Sequence, residues 1–248
     1  MPVLPRIQAA GCRRRAGVRN CAKFILIALV TLWAWPAAAE ASDPDLLGQR
    51  HLDASEQRST PDSSGHGHDG DLDGAAVRFV PGGRFGNALD LNGEGGRVDV
   101  AGSEALEPQH VTALAWVRSG GSPGPLGYIL AKGAEGCEIA SYALHSSASG
   151  GLSFSVFASG APVRSPDAGT DLWDGRWHAV AGTYDGVAVR LYVDGAQIGS
   201  GTPAAALDIR YALQSRRLNL GNYPLASQCP DDETTWPGLL DEVRVYRR

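Results

Sequence analysis

Residues 172–201, LWDGRWHAVAGTYDGVAVRLYVDGAQIGSG, set three Asp-Gly pairs between runs of strand length: Asp174-Gly175, Asp185-Gly186 and Asp194-Gly195. Asp-Gly supplies the positive φ angles that primed hairpin turns need, so this stretch is expected to be a meander of antiparallel strands. Within it Val187, Val189, Leu191 and Val193 share one face, and Ala188, Arg190 and Tyr192 take the other. A period of two implies one buried and one wetted face.

The same texture runs from Pro61 onward. Short apolar stretches are broken every eight to twelve residues by Gly, Pro, Asn or Asp: AVRFV from Ala76, ALDLNG from Ala88, RVDV from Arg97, VTALAWVRS from Val111, YILAKG from Tyr128, YALHS from Tyr142, LSFSVFA from Leu152, LNLGNY from Leu218 and LLDEVRVY from Leu239. With the meander this gives about a dozen strands and almost no helical periodicity, a rhythm typical of all-β domains. A dozen strands overfill one open twisted sheet, so two packed antiparallel sheets are the natural solution.

The first 41 residues are set apart from this. Arg6, Arg13, Arg14, Arg15, Arg19 and Lys23 precede the apolar run FILIALVTLWAW, and small residues follow, with A-x-A satisfied by cleavage after Ala39 or Ala41. That is the layout of an export signal. Twelve apolar residues are too few to span a bilayer, which disfavours a membrane anchor, and no transmembrane segment is expected in the mature chain. Residues 42–60 read as a lead-in segment with one short strand near Leu46, and residues 61–248 as the domain proper. The 248-residue chain has a formal charge of −5 and is 43% hydrophobic, enough for a buried core. Six of its 22 Lys and Arg precede Glu40, so from Glu40 onward 16 basic residues face 27 acidic ones, a net −11 with Lys132 the only lysine. Such a chain lacks the basic stripe that a phosphate backbone requires, so nucleic acid is not an expected partner.

Cys137 and Cys229 remain once the signal is removed. An even pair in an exported protein is most simply a disulfide; two zinc-binding thiolates would need a second pair or histidines at ligand spacing. The bridge would stabilise by about 4 to 5 kcal/mol on the chain-entropy account of a loop this long. It would also gather Glu135, Glu138, Asp231, Asp232 and Glu233 at one rim, an oxygen-rich cluster of the kind that suits calcium, or else a solvated acidic loop.

Taken in order, DSSGHGHDGDLDG (residues 62–74), GRFGNALDLNGEGGRVDV (83–100), LAWVRS (114–119), ILAKG, DGRWHAVAGTYDGVAVRLYVDG and the closing WPGLLDEVRVYRR resemble the LamG-like jelly-roll domains of the concanavalin A-like lectin/glucanase superfamily. The resemblance implies a two-sheet jelly-roll β-sandwich used mainly as an extracellular binding or adhesion module. Trp116, Trp177, Leu191 and Val193 are then expected in the core, and Gly70, Gly86, Gly93 and Gly221 at turns or close backbone approaches. It further implies that Asp241, in the final strand, holds a structural calcium ion. The carbonyl of Gly70 is its expected companion ligand.

Other sites are weighed on chemistry. DGDLDG offers the acids of loop positions 1, 3 and 5 and the glycine at 6 of an EF-hand, but position 12 is Val80 where a bidentate Glu is required. His66 and His68 straddle Gly67 and could chelate a metal weakly; a solvated turn is the simpler reading. His178 is expected at the surface or just beneath it. Retaining glucanases need two carboxylates flanking the scissile bond, commonly in E-x-D-x-E, and neither that motif nor a nucleophile elbow occurs. The expected function is therefore non-catalytic recognition of a glycan or an extracellular protein, with a ligand-free structural or adhesive subunit as the alternative and a glycoside hydrolase or lyase third. For a glycan, Trp173, Tyr223 and Trp236 lie in loop contexts and are the expected stacking platform.

Overall fold

The computed structural model describes residues 43–54, 58–75, 77–133, 140–158, 160–204, 208–211, 217–223 and 235–248. The proposed signal (residues 1–41), Cys137, Cys229 and the rim acids Glu135, Glu138, Asp231, Asp232 and Glu233 lie outside them. The described residues fall within one compact unit, Ala41–Arg248. None of their helices is long and apolar enough to cross a membrane.

In chain order the strands are β1 (Leu46–Arg50), β2 (Ser59–Thr60), β3 (Gly70–Asp73), β4 (Arg78–Pro81), β5 (Asn87–Asn92), β6 (Arg97–Val100), β7 (Val111–Arg118), β8 (Tyr128–Lys132), β9 (Tyr142–Ser146), β10 (Leu152–Ala158), β11 (Ala161–Arg164), β12 (His178–Tyr184), β13 (Ala188–Val193), β14 (Ala196–Gln197), β15 (Thr202–Pro203), β16 (Leu218–Leu220) and β17 (Pro237–Tyr246). Among the described residues a single 3-10 turn, Glu104–Leu106, is the only helical element. One sheet runs β14-β13-β12-β7-β17-β5-β4, with β1 added on β17 and β15 on β13; the other runs β11-β10-β9-β8-β16-β6-β3-β2. All pairings are antiparallel, and the two sheets form the expected sandwich.

The core is the set of inward residues of both sheets, including Leu89, Val98, Ala113, Val117, Leu144, Phe154, Val180, Leu191, Leu240 and Val243. Contact between the sheets is close. A Cβ on Gly182 of β12 would lie 2.0 Å from the Phe154 ring of β10, so the missing side chain makes room for that ring. Gly70 serves the same purpose within β3, where a Cβ would meet Val98 at 2.5 Å.

Three details depart from the sequence reading. The described residues of the 42–60 segment are part of the sandwich: the short strand expected near Leu46 is β1, which pairs with β17, β2 borders β3, and Leu47 and Leu52 enter the core. Of the three Asp-Gly pairs, only Asp194-Gly195 has both residues at positive φ (50° and 82°), the primed turn. At the other two only the glycine does, and the aspartate carboxylate caps the turn instead: Asp185 accepts from the amides of Val187 and Ala188 (both 2.9 Å), and Asp174 from that of Arg176 (2.9 Å). Val187 belongs to such a turn and is exposed, while Val189 and Leu191 are buried.

The DSSGHGHDG loop is organised on the buried carboxylate of Asp62. It accepts from the backbone amides of Gln49 (2.9 Å), Ser64 (3.0 Å) and His68 (2.9 Å) and from the Ser64 hydroxyl (2.8 Å). Asp69 in turn accepts the Asp62 amide at 2.7 Å. Arg50 is fully buried beneath the loop and donates to the carbonyl of His68. Burial acts to raise the Asp62 pKa, but the four donors prevail and take it from 3.8 down to about 2. With the folded pKa below the unfolded one, this contribution is fully present above pH 4 and is lost as the pH falls toward 2. Asp62→Asn is accordingly expected to cost about 2 kcal/mol at neutral pH, from the size of the shift, and to flatten the acid limb of Tm against pH between 4 and 2. An unchanged Tm and acid limb would contradict the role assigned to this carboxylate.

Candidate functional site

On one edge of β17 two strands share the pairing: β5 takes Pro237–Leu240 and β1 takes Val243–Tyr246. Asp241 and Glu242 fall in the gap between them. On the opposite edge, against β7, the register slips between Asp241 and Arg244, and Glu242 adopts φ 47°. This is a β-bulge, which re-aims side chains where it occurs. Leu240, Val243 and Val245 stay in the core, and Asp241 stands opposite Trp116 of β7. Glu242, nearly buried, receives the His51 imidazole at 2.6 Å and the Arg244 guanidinium at 2.7 Å.

The turn between β4 and β5, residues 82–86, closes over this gap. Its Gly83 amide donates to the Gly86 carbonyl (3.1 Å), with Gly86 at φ 63°. A Cβ on Gly83 would lie 1.9 Å from the Asn87 carbonyl oxygen, so only glycine permits the approach. Asp241 is fully buried and anchors the turn: its Oδ2 accepts the Phe85 amide (3.0 Å) and its Oδ1 the Glu242 amide (2.8 Å). Burial pushes the Asp241 carboxyl above the usual carboxylate range, and the amides of Phe85, Glu242 and Arg84 offset part of that. A second anchor is Asp53, which accepts the Asn87 amide at 2.8 Å and the Asn87 side-chain amide, through its carbonyl, at 3.0 Å.

Held in this way, Arg84 and Phe85 reach across the outer face of the sheet to Trp116. The Arg84 guanidinium carbon lies 4.5 Å from the Trp116 ring centre and 4.8 Å from that of Phe85. The two rings meet edge to face at 6.4 Å and 87°. Phe85 is 52% exposed, Arg84 is exposed and Trp116 half-buried. Ala179 of β12 lies opposite Trp116 on its other flank, a small residue that leaves the ring's neighbourhood open. An exposed aromatic beside a cation and a half-buried indole is an arrangement that can stack on a sugar ring while a donor fixes its polar groups.

The aromatic platform expected from sequence is not formed by the residues named for it. Trp173, Tyr223 and Trp236 are all buried. Trp173 and Trp236 pack against each other with ring centres 6.2 Å apart, and the Trp173 indole N–H donates to the Gly150 carbonyl (2.8 Å). Tyr223 packs on Tyr128 at 5.3 Å. These rings close off hydrophobic surface that the strands alone leave open. Conversely, Trp116 and Trp177, expected in the core, are half-buried: Ala113 and Ala115 take the inward positions of β7 in place of Trp116, and Trp177 lies just before β12.

Nor does the structure bring Gly70 to Asp241. Gly70 lies in the other sheet, paired with Thr60 and Val100, while the oxygens of Asp241 face backbone amides. Among the described residues no three His, Cys, Asp or Glu side chains converge as a metal group. His68 is committed to the Leu47 carbonyl (2.8 Å) and the Ser103 hydroxyl (3.1 Å), so the His66–His68 pair is not poised to chelate. His178 lies between Asp194 (2.7 Å) and Asp174 (3.1 Å). Burial lowers its pKa, the two carboxylates outweigh that, and the net direction is upward. With both ring nitrogens on carboxylates, His178 ties two turns together and has no free nitrogen to act as a base.

Comparison with known proteins places this geometry in context. Residues 92–248 match the family profile described as the concanavalin A-like lectin/glucanases superfamily. No curated protein matches the chain. Among solved structures, domain 4 of AbnA, a GH43 extracellular arabinanase from Geobacillus stearothermophilus in complex with arabinotriose, is similar at TM-score 0.56 and 20% identity over 82% of this chain and 92% of that one. The binding domain of botulinum neurotoxin DC in complex with SialylT gives 0.60 and 13% over 84% of this chain and 49% of that one. Trypanosoma rangeli sialidase in complex with sialic acid gives 0.57 and 15%, over 83% and 31%. The chain thus spans nearly all of the arabinanase domain, about half of the neurotoxin domain and about a third of the sialidase. At these identities the likeness is one of fold.

Proposed function

The chain belongs to the concanavalin A-like lectin/glucanases superfamily, and on that premise we propose that it is a non-catalytic carbohydrate-binding module that presents Phe85, Arg84 and Trp116 to a glycan. The observation that carries this reading is the 52% exposure of Phe85 on a turn anchored by a buried carboxylate. An exposed aromatic ring costs solvation unless a ligand covers it, and a fixed turn lowers the entropy lost when one does. The solved structures of like fold include a domain bound to arabinotriose and a binding domain bound to SialylT, which supports a glycan over other ligands. The export signal at residues 1–41 is consistent with an extracytoplasmic ligand and belongs to the same proposal. Calcium is not needed at this face, since the Asp241 oxygens already face backbone amides.

A glycan array run with the protein and with Phe85→Ala, each with calcium and with chelator, tests this. The protein is expected to retain at least one glycan equally in both conditions, to release no reducing sugar, and to lose about tenfold in affinity on Phe85→Ala, the order of magnitude of one stacking contact. Retention of no glycan, or retention undiminished by Phe85→Ala, would overturn the assignment of this face.

A further inference from the structure

Arg84 differs from the arginines around it in what its guanidinium touches. Arg244 is ion-paired to Glu242, Arg78 to Asp90, and Arg118 donates to the Gly175 carbonyl at 2.7 Å. Arg84 has two ring contacts and, among the described residues, neither an ion pair nor a side-chain hydrogen bond. The carboxylates at this turn are engaged by backbone amides: Asp241 is buried and accepts those of Phe85 and Glu242, and Asp53 accepts that of Asn87.

A guanidinium in contact with aromatic rings keeps the donors along its edge available, and those donors match the two oxygens of a carboxylate. The flanking rings also limit its rotamers, so less freedom is lost when a ligand is bound. Beside it stands Phe85, on which a sugar ring can lie. From this juxtaposition we propose that the site selects glycans bearing a carboxylate: the Arg84 fork holds the acid group while Phe85 stacks on a sugar ring. This rests on the glycan-binding reading and narrows it to acidic sugars. A single arginine at this face matches one carboxylate per site and offers no track for a polyanion.

The test compares binding of oligogalacturonate with its methyl ester, and of sialyllactose with lactose, using arabinotriose as a neutral reference. Each pair changes or removes the acid, and the ester keeps the rings of its parent. The protein is expected to bind the acidic member of at least one pair about tenfold or more tightly, as a charge-assisted contact implies. Arg84→Gln should abolish that preference, and Arg84→Lys should restore part of it. A melting curve for each variant keeps folding separate from recognition. Equal binding of acidic and neutral members by the parent protein, or an undiminished preference in Arg84→Gln, would overturn the inference. Binding of arabinotriose or lactose without any acidic preference would overturn it while leaving the glycan reading intact, and retention of no glycan at all would overturn both.

Discussion

The candidate site depends on how one buried carboxylate is satisfied. An ionised aspartate removed from water is costly unless hydrogen-bonded or paired, and Asp241 meets that demand with the amides of Phe85 and Glu242. One of these amides belongs to its own strand, where the bulge turns Glu242 to φ 47°. The other belongs to a turn 156 residues earlier in the chain. The final strand and the β4–β5 hairpin are thereby joined at the point where β1 and β5 leave an edge of β17 uncovered. Without that join, nothing in the composition of a Gly-Arg-Phe-Gly turn would hold a phenylalanine and an arginine against Trp116.

The same chemistry recurs around the domain. Asp62 gathers three amides and a hydroxyl, Asp185 two amides, and Asp53 the amide that follows the 82–86 turn. Glycine-rich turns between short strands leave many amides without a ladder partner, and aspartate is the compact acceptor that supplies one. The acidic balance of the chain is therefore partly structural, since several of its carboxylates serve as turn clamps. This also explains why DGDLDG resembles half of a calcium loop. A carboxylate near a glycine has the same appearance in sequence whether its partner is a cation or an N–H group.

Most strands were legible because Gly, Pro, Asn and Asp punctuate them and their inward residues alternate. The short strand near Leu46 is expected from sequence but its place in the sandwich is not, because Leu46–Arg50 carries a glycine and an arginine and pairs with a strand nearly 200 residues away. The faces of β7 were misjudged for a physical reason. VTALAWV is apolar on both sides, so period two marks no inside, and choosing the larger residues for the core inverts it. The loop aromatics failed in the opposite sense. Trp173, Tyr223 and Trp236 lie beside turn-forming residues, which signals exposure locally, but a sandwich must also close its margins, and large rings do that. Phe85 lies within the GRFGNALDLNG motif, where a turn phenylalanine gives no sign in sequence of whether it folds inward or stays in solvent.

Amide hydrogen exchange at Phe85 tests the central claim most directly. Phe85 lies in an exposed turn with no strand partner, so the protection of its N–H rests on the Asp241 carboxylate. The account predicts slow exchange in the parent protein, comparable with neighbouring strand amides, and fast exchange in Asp241→Ala under conditions where the Leu114 and Val245 amides stay protected. Exchange of the Phe85 amide at the rate of an open turn in the parent protein would contradict it.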